Sequence, residues 1–525
     1  MSAPLPEPPR ERWPQRLLRY LAQRRGSDTI AASVQQSQNV VVGKNIVQIG
    51  TLMVPMPLLV AILVALIGGV GLIFWQLNGL APRGKMRMDG TFNIAIADFT
   101  ELDARGRPVA RSTMGREMSE WVYNSLQKQR EDYTRTSDPD NAASLLIWSN
   151  SVSPSEKGVA IGKVDAAEPG ERQAQAAAIA ADIGADAVVY GVFDARGLIP
   201  EFYVVPPSRH SILDIVGGYQ LGSEPILIDQ GDRQALLRQL APRTNGLFWL
   251  LLGLRYVTYG DAEQAYDLLS RAETNLTDWD GGQQGEELLY FFKGQVALFA
   301  AQRIDRQQQP DQYQQRLLEA QTAFDRAIQI NPMYARVYIG QGSVFLENAE
   351  GNENPTQRQD MFTQAIASYE QAKRLAIGTG SQEQVTLLAE LGLAQTHRLR
   401  GQMYYVLQQD IEAEPELNAA AAGAQTVIDR MTASDNVDYR MLGQAYLTLS
   451  NAAQQLGVIR RSQGDPAGSV QWHTRARDTA TLCIALRQQG AAQKDDVLRR
   501  DVIRGCERVQ TDANTALAQM TGEKP

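Results

Sequence analysis

From Thr244 onward one arrangement of small and large residues recurs, and it constrains the chain more than any other feature. Trp249, Leu252, Gly253 and Tyr256 are followed by Ala265, Leu269 and Ala272, with Gly260-Asp261 between the two groups. Spacings of three and four residues put each group on one helix face; small residues let two helices approach, and aromatics fill the gaps beside them. The arrangement returns as Tyr290 and Gly294 with Ala320, Phe324 and Ala327, and as Tyr338, Gly342 and Phe345 with Ala365, Tyr369 and Ala372. It returns again as Leu388, Leu391 and Gly392 with Ala420 and Ala424, and as Tyr439, Leu442, Gly443 and Tyr446 with Ala476. A two-helix unit cannot bury its apolar face alone, so the five stack. The pattern predicts an all-α array over 244–525, closed by a polar capping helix at about Asp495 to Met520.

These residues resemble the tetratricopeptide repeat, whose pattern runs W-x2-L-G-x2-Y and later A-x3-F-x2-A. The signature glycines stand at 253, 294, 342, 392 and 443, further apart than the family's period of about 34 residues, so each unit carries inserted turns of helix or loop. Ser469 and His473 occupy positions where the family usually has alanine and an aromatic. The resemblance implies a groove for a protein or peptide partner. Offsets from the signature glycines place Ser343, Glu347, Arg440 and Gln444 on its face.

Between 90 and 230 the periodicity changes. Phe92 to Phe99 is apolar on both faces and reads as a central strand, and a helix follows from about Ser112 to Lys128. Strands are expected at Ser144 to Ser149, Ala187 to Phe193 and Leu198 to Val205, with an alanine-rich helix at Ala174 to Ile183 stopped by Gly184. The order predicts a layered α/β domain. IAIADF, GREMSEWVYNSLQKQ and AAIAADIGADAVVYGVF resemble the TolB N-terminal-like and CsgG-like domains of bacterial envelope proteins, on Gly184, Ala185, Asp186 and Gly191. That resemblance implies a non-catalytic, extracytoplasmic domain for assembly or recognition.

Leu58 to Trp75 lies in an uncharged run from Asn45 to Pro82. A span needs roughly 20 apolar residues, so 52–77 is expected to be one transmembrane helix, with Ala61, Ala65 and Gly69 as a small-residue face for helix packing. Before it, residues 1–29 form a basic tail whose Arg10 to Arg25 stretch could coil into an amphipathic helix. Residues 30–50 are expected to form a hairpin about Gly43-Lys44-Asn45. Asn39, Val40, Val42, Gly43 and Ile49-Gly50 resemble short stretches of multidomain bacterial signalling and conflict-system proteins. Such a hairpin is marginal alone, so it is expected either to pair with copies in neighbouring chains, in a homo-oligomer joined through it and the helix, or to pack on the membrane face. Positive-inside counting is divided, and the arginine-rich arm favours a cytoplasmic N-terminus with the large domains outside the cytoplasm, at the bacterial inner membrane.

The expected fold class is therefore multidomain: a single transmembrane helix, a small layered α/β (α+β) domain, then an all-α tetratricopeptide-like helical repeat solenoid. A net charge of -8 argues against nucleic acid as the main partner. Cys483 and Cys506 read as two buried thiols, or as a pair if their helices run antiparallel. No P-loop, HExxH, paired CxxC or G-x-S-x-G occurs, and His210, His397 and His473 lack metal-ligand neighbours. Asp278 to Gly281 lacks the remaining ligands of a calcium loop. The reading is a membrane-anchored, non-enzymatic scaffold without cofactor or metal. A signalling receptor whose α/β domain senses an envelope ligand ranks second, and an enzyme acting on envelope polymers third.

Overall fold

The computed structural model describes residues 40–43, 46–49, 52–55, 87–110, 112–136, 145–150, 161–205, 217–220, 226, 233–258, 261–276, 286–377, 379, 382–434, 437–489 and 498–522. They fall in two compact units, Met1–Gly84 and Lys85–Pro525.

In the first unit β1 (Val40–Gly43), β2 (Ile46–Ile49) and β3 (Leu52–Pro55) form an antiparallel sheet in that order, with Gly43 opposite Ile46 and Ile49 opposite Leu52. The third strand takes residues expected to begin a membrane-spanning helix. Hydropathy counts apolar side chains, but it does not say how the backbone will pair, and Leu52–Pro55 pairs along the whole of β2. Among the described residues no helix is long and apolar enough to cross a membrane. The expected fold class with its transmembrane helix, and the inner-membrane placement with a cytoplasmic N-terminus, are corrected on that finding. Leu58 to Trp75, with Ala61, Ala65 and Gly69, lies outside the described residues, as does the basic tail.

The second unit opens with β4 (Phe92–Ile96), β5 (Thr100–Glu101), α1 (Thr113–Thr136), β6 (Leu145–Ser149), α2 (Pro169–Ile183), β7 (Ala187–Asp194), β8 (Gly197–Val204) and β9 (Gly217–Gln220). The sheet order is β6-β4-β7-β8-β9; β4 is parallel to both neighbours, and β8 and β9 add antiparallel. Side chains alternate across a strand, so Ile94 and Ile96 pack with Met118, Val122 and Leu126 of α1, while Ala95 packs with Ala176, Ala180 and Ile183 of α2 on the other face. Gly184 ends α2 in the left-handed region (φ 72°), as its lack of a side chain permits.

Five helical hairpins follow: α3 (Arg233–Thr258) with α4 (Ala262–Leu276), α5 (Glu286–Arg303) with α6 (Pro310–Ile330), α7 (Ala335–Gly351) with α8 (Pro355–Ala376), α9 (Gln382–Val406) with α10 (Asp410–Thr432), and α11 (Tyr439–Ser462) with α12 (Pro466–Ala485). Pro310, Pro355 and Pro466 open second helices, where a missing N–H costs nothing. The signature glycines lie at the helix crossings. A Cβ on Gly294 would stand 2.5 Å from the Phe324 ring, and one on Gly342 2.9 Å from Tyr369, whose ring also meets Gly392 of the next hairpin. These contacts make the array tetratricopeptide-like. With thirteen α-helices among the described residues, the chain is mostly helical.

The expected separate α/β and helical modules share a core. One buried cluster runs from Phe92 and Ile94 through Phe248, Phe291 and Phe324 to Val344. Tyr133 of α1 meets Trp249 edge-on at 5.7 Å, and Tyr219 of β9 packs at 5.0 Å from Phe292. A second cluster runs from Ala335 to Ala513. At its end a π-helical turn (Leu498–Ile503) leads into α13 (Arg504–Thr521), and Leu498 and Val502 fill the space beside Gly443. Cys483 and Cys506 are bonded, with Cα atoms 6.3 Å apart, so the buried-thiol reading gives way to the pair.

Candidate partner-binding surface

The four residues proposed for the groove lie on two helices, α7 and α11, and serve largely internal roles. Ser343 Oγ is 3.0 Å from the Tyr369 hydroxyl, which fixes the ring between two signature glycines. Glu347 accepts from Gln302 Nε2 at 2.7 Å and from the Tyr313 hydroxyl at 3.1 Å, tying α7 to α5 and α6. Burial, followed by the Glu347 charge, pushes the Tyr313 phenol well above its ordinary range. Arg440 is buried at the start of α11, where Asp438 Oδ1 accepts from its backbone N–H at 2.9 Å. Gln444 is half-buried one turn further on. Offsets from a glycine identify a helix face; on it Arg440 is buried, while Ser343, Glu347 and Gln444 are half-buried.

The large apolar side chains that stay exposed lie elsewhere. Among the described residues eight such side chains are spread from Leu318 to Leu482, and three of them, Val406, Leu407 and Ile411, 70%, 42% and 85% exposed, fall within six residues at the turn from α9 to α10. Gln408 makes this turn in the left-handed region (φ 60°), with its N–H on Tyr405 O at 2.9 Å. The carboxylates nearby divide into tied and open ones. Glu416 accepts from His397 Nδ1 at 2.8 Å and from Arg400 at 2.7 and 2.9 Å; burial raises its pKa, but those hydrogen bonds outweigh it and hold the carboxyl below its ordinary value. Glu414 is bound by Arg460. Glu412, beside Ile411, is exposed. Sequence reading missed this turn because exposure of an apolar residue at a helix end depends on what packs there, and Val406 and Ile411 fit a buried stripe equally well.

A concavity of about 490 Å³ lies between α4, α5 and α6. Tyr290 and Lys293 converge there on Glu273, at 2.8 and 2.5 Å. Burial, with Glu273 adding to it, pushes the Tyr290 phenol up to about 12. These groups satisfy one another and bind the hairpins together. Among the described residues no three His, Cys, Asp or Glu side chains are grouped so as to hold a metal ion. His397 holds Glu416 and His473 is buried; His210 and Asp278 to Gly281 lie outside the described residues.

No family model matches the chain, and no curated protein does, so the TolB-like and CsgG-like resemblance rests only on the residues that suggested it. Among solved structures, a thermophilic TPR protein of Thermus thermophilus is 14% identical, with a TM-score of 0.27 over 47% of this chain and 98% of that one. BtubC from P. vanneervenii is 15% identical, with a TM-score of 0.28 over 47% and 82%. The human IFIT1 dimer with PPP-AAAA is 13% identical, with a TM-score of 0.25 over 55% and 57%. Similarities this low carry nothing about function, and the repeat assignment stands on the hairpins themselves.

Proposed function

We propose that this chain is a non-catalytic scaffold whose helical array holds a protein or peptide partner. The observation that carries the reading is the exposed cluster of Val406, Leu407 and Ile411 at the fourth hairpin turn. Apolar surface left in water costs about 25 cal/mol per Å², and a grouped patch is a feature of interaction sites more than of inert surface. The exposed Glu412 beside it favours a partner segment that brings an apolar anchor together with a lysine or arginine. Repeat arrays suit such a task because their rigid stacking fixes the spacing of successive anchors.

The test is crosslinking capture with the intact chain and with a Val406→Ser, Leu407→Ser, Ile411→Ser variant. Loss of a specific captured protein from the variant, with unchanged helix content, is the expected result. An unchanged set of captured proteins would remove the turn from the binding surface, and a turnover activity in the purified chain would overturn the scaffold reading itself.

A further inference from the structure

A cavity of about 290 Å³ lies where the sheet meets the helical array. Its floor is a cross-strand row. Tyr190 pairs with Glu201, and Glu201 with Gln220, so the three side chains stand side by side on one face of β7, β8 and β9. In the next register Gly218 has no side chain, and the Gln173 carboxamide of α2 occupies that space, 3.1 Å from where a Cβ would be. The array supplies the opposite wall from the turn before α7, including Asn331, from Arg336 in the first turn of α7, and from Thr379.

The charges in these walls, on Glu201, Glu287 and Arg336, are buried and belong to the fold. Glu201 is 6% exposed, and its two carboxylate oxygens accept from Arg172 Nε and Nη2 at 2.8 and 2.7 Å. Arg336, 2% exposed, lies 4.7 Å from the Tyr219 ring centre and donates to the Tyr219 hydroxyl and to Gln384 Oε1, each at 2.7 Å. What the cavity offers an occupant is chiefly the carboxamides of Gln173 and Gln220; the Asn331 carboxamide oxygen already accepts from the Met333 N–H at 3.1 Å and the Thr379 hydroxyl already donates to Ala376 O at 2.7 Å, which leaves the Asn331 amide as a donor and the Thr379 oxygen as an acceptor. A carboxamide presents donor and acceptor together, as does an alcohol, so two of them beside the Asn331 donor and the Thr379 acceptor around one small space match a molecule bearing several neutral hydroxyls. The volume is at the lower end of ligand sites.

From this geometry we infer that the junction cavity binds a neutral polyhydroxylated ligand of monosaccharide to disaccharide size. Both the sheet and the array wall the site, so occupancy clamps the two together and raises the unfolding temperature. This inference does not depend on the scaffold reading, because its site is remote in sequence from the fourth hairpin turn.

Thermal unfolding and calorimetry of the full chain would use glucose, galactose, N-acetylglucosamine, trehalose and maltose, with inorganic phosphate, glutamate and lysine as charged controls. A saturable rise in unfolding temperature with at least one sugar and none with the controls is expected. Gln220 is exposed, so Gln220→Leu should fold normally and weaken that sugar by about fivefold to tenfold, the value of one or two neutral hydrogen bonds. Gly218→Val, which adds bulk against the flexible Gln173 side chain, should abolish binding with the circular dichroism spectrum retained. Failure of every sugar to bind, equal binding by both variants, or a preference for the charged controls would overturn the inference.

Discussion

The helical array is closed by different chemistry at its two ends. At the first two hairpins the sheet and α1 supply large rings: Tyr133 against Phe248 and Trp249 of the first, and Tyr219 against Phe292 of the second. At the last hairpin the core is mostly alanine and leucine, and the closing piece is a π-helical turn and one helix held by the bond between Cys483 and Cys506. A repeat array leaves an apolar face at each end that must be covered. A folded neighbour covers it by area alone. A single helix removes less surface, and a crosslink compensates by reducing the freedom of the unfolded chain. The two ends should therefore fail in different ways.

The largest effect is expected at the sheet. Glu201→Gln removes one partner of an ion pair whose side chains are 5% and 7% exposed, leaving the Arg172 charge buried. The expected loss is about 3–5 kcal/mol in denaturant unfolding, whereas Arg172→Met with Glu201→Leu should come out close to neutral. Equal losses in the single and double variants would mean that the pair itself, and not the orphaned charge, stabilises the sheet. At the other end, Cys483→Ala with Cys506→Ala opens a crosslink of sequence separation 23, worth about 3 kcal/mol on the loop-entropy account. Hydrogen exchange should then accelerate in α12 and α13 while the sheet stays protected. Acceleration spread evenly from β4 to α13 would show that the ends are not separable.

Between the ends, the glycines grade the tightness of each crossing. Phe324 is fully buried, so its ring has nowhere to move when Gly294→Ala places a Cβ 2.5 Å away; a cost of about 2–3 kcal/mol is expected. At Gly253 the nearest atom is on Leu269 at 3.1 Å, a contact that needs to give by only a few tenths of an ångström, and Gly253→Ala should cost about 1 kcal/mol or less. Thermal unfolding of the two variants side by side measures the difference. Equal costs would break the link between ring rigidity and repeat packing.

The same contacts explain what the sequence reveals. Gly253, Gly294 and Gly443 are legible because each lies in a local pattern with its own hairpin, and the helices at 286–303 or 355–376 follow from spacing within a few turns. The packing of Arg336 on Tyr219 is illegible because it joins residues 117 apart that no periodicity relates. Leu52–Pro55 reads as helix because an apolar run has the same hydropathy whichever way its backbone pairs. Two cysteines allow a bond without requiring it, and only the approach of α12 and α13, which brings their Cα atoms to 6.3 Å, decides. At the candidate surface, spacing puts Ser343 and Glu347 on the first helix of their hairpin, and their hydrogen-bond partners, which come from α5, α6 and α8, are not related to them by any spacing. Exposure of Val406 and Ile411 is a property of the hairpin turn and leaves no trace in spacing.

The smallest expected effect separates the two ends by pH. His473 is 2% exposed in α12, with its ring against Gly457. Burial, and then the Arg461 charge, lowers its pKa from the ordinary histidine value of 6.5. A lowered value means that the folded chain holds the imidazole neutral more firmly than the unfolded chain does. The associated stability is complete above the unfolded value of about 6.5, and it is lost as pH falls from there through the folded value, because the unfolded chain takes up the proton first. His473→Phe places at this position the aromatic that the repeat pattern usually carries, and removes the titration. Unfolding of both chains followed from pH 7.5 to 5.5 should show their stability difference moving in favour of the phenylalanine variant as pH falls, with carboxylate titrations elsewhere cancelling. Hydrogen exchange in α11 and α12 should follow that trend while β7 and β8 do not. A difference independent of pH would mean that His473 is as readily protonated folded as unfolded, and that the C-terminal end carries no acid sensitivity of its own.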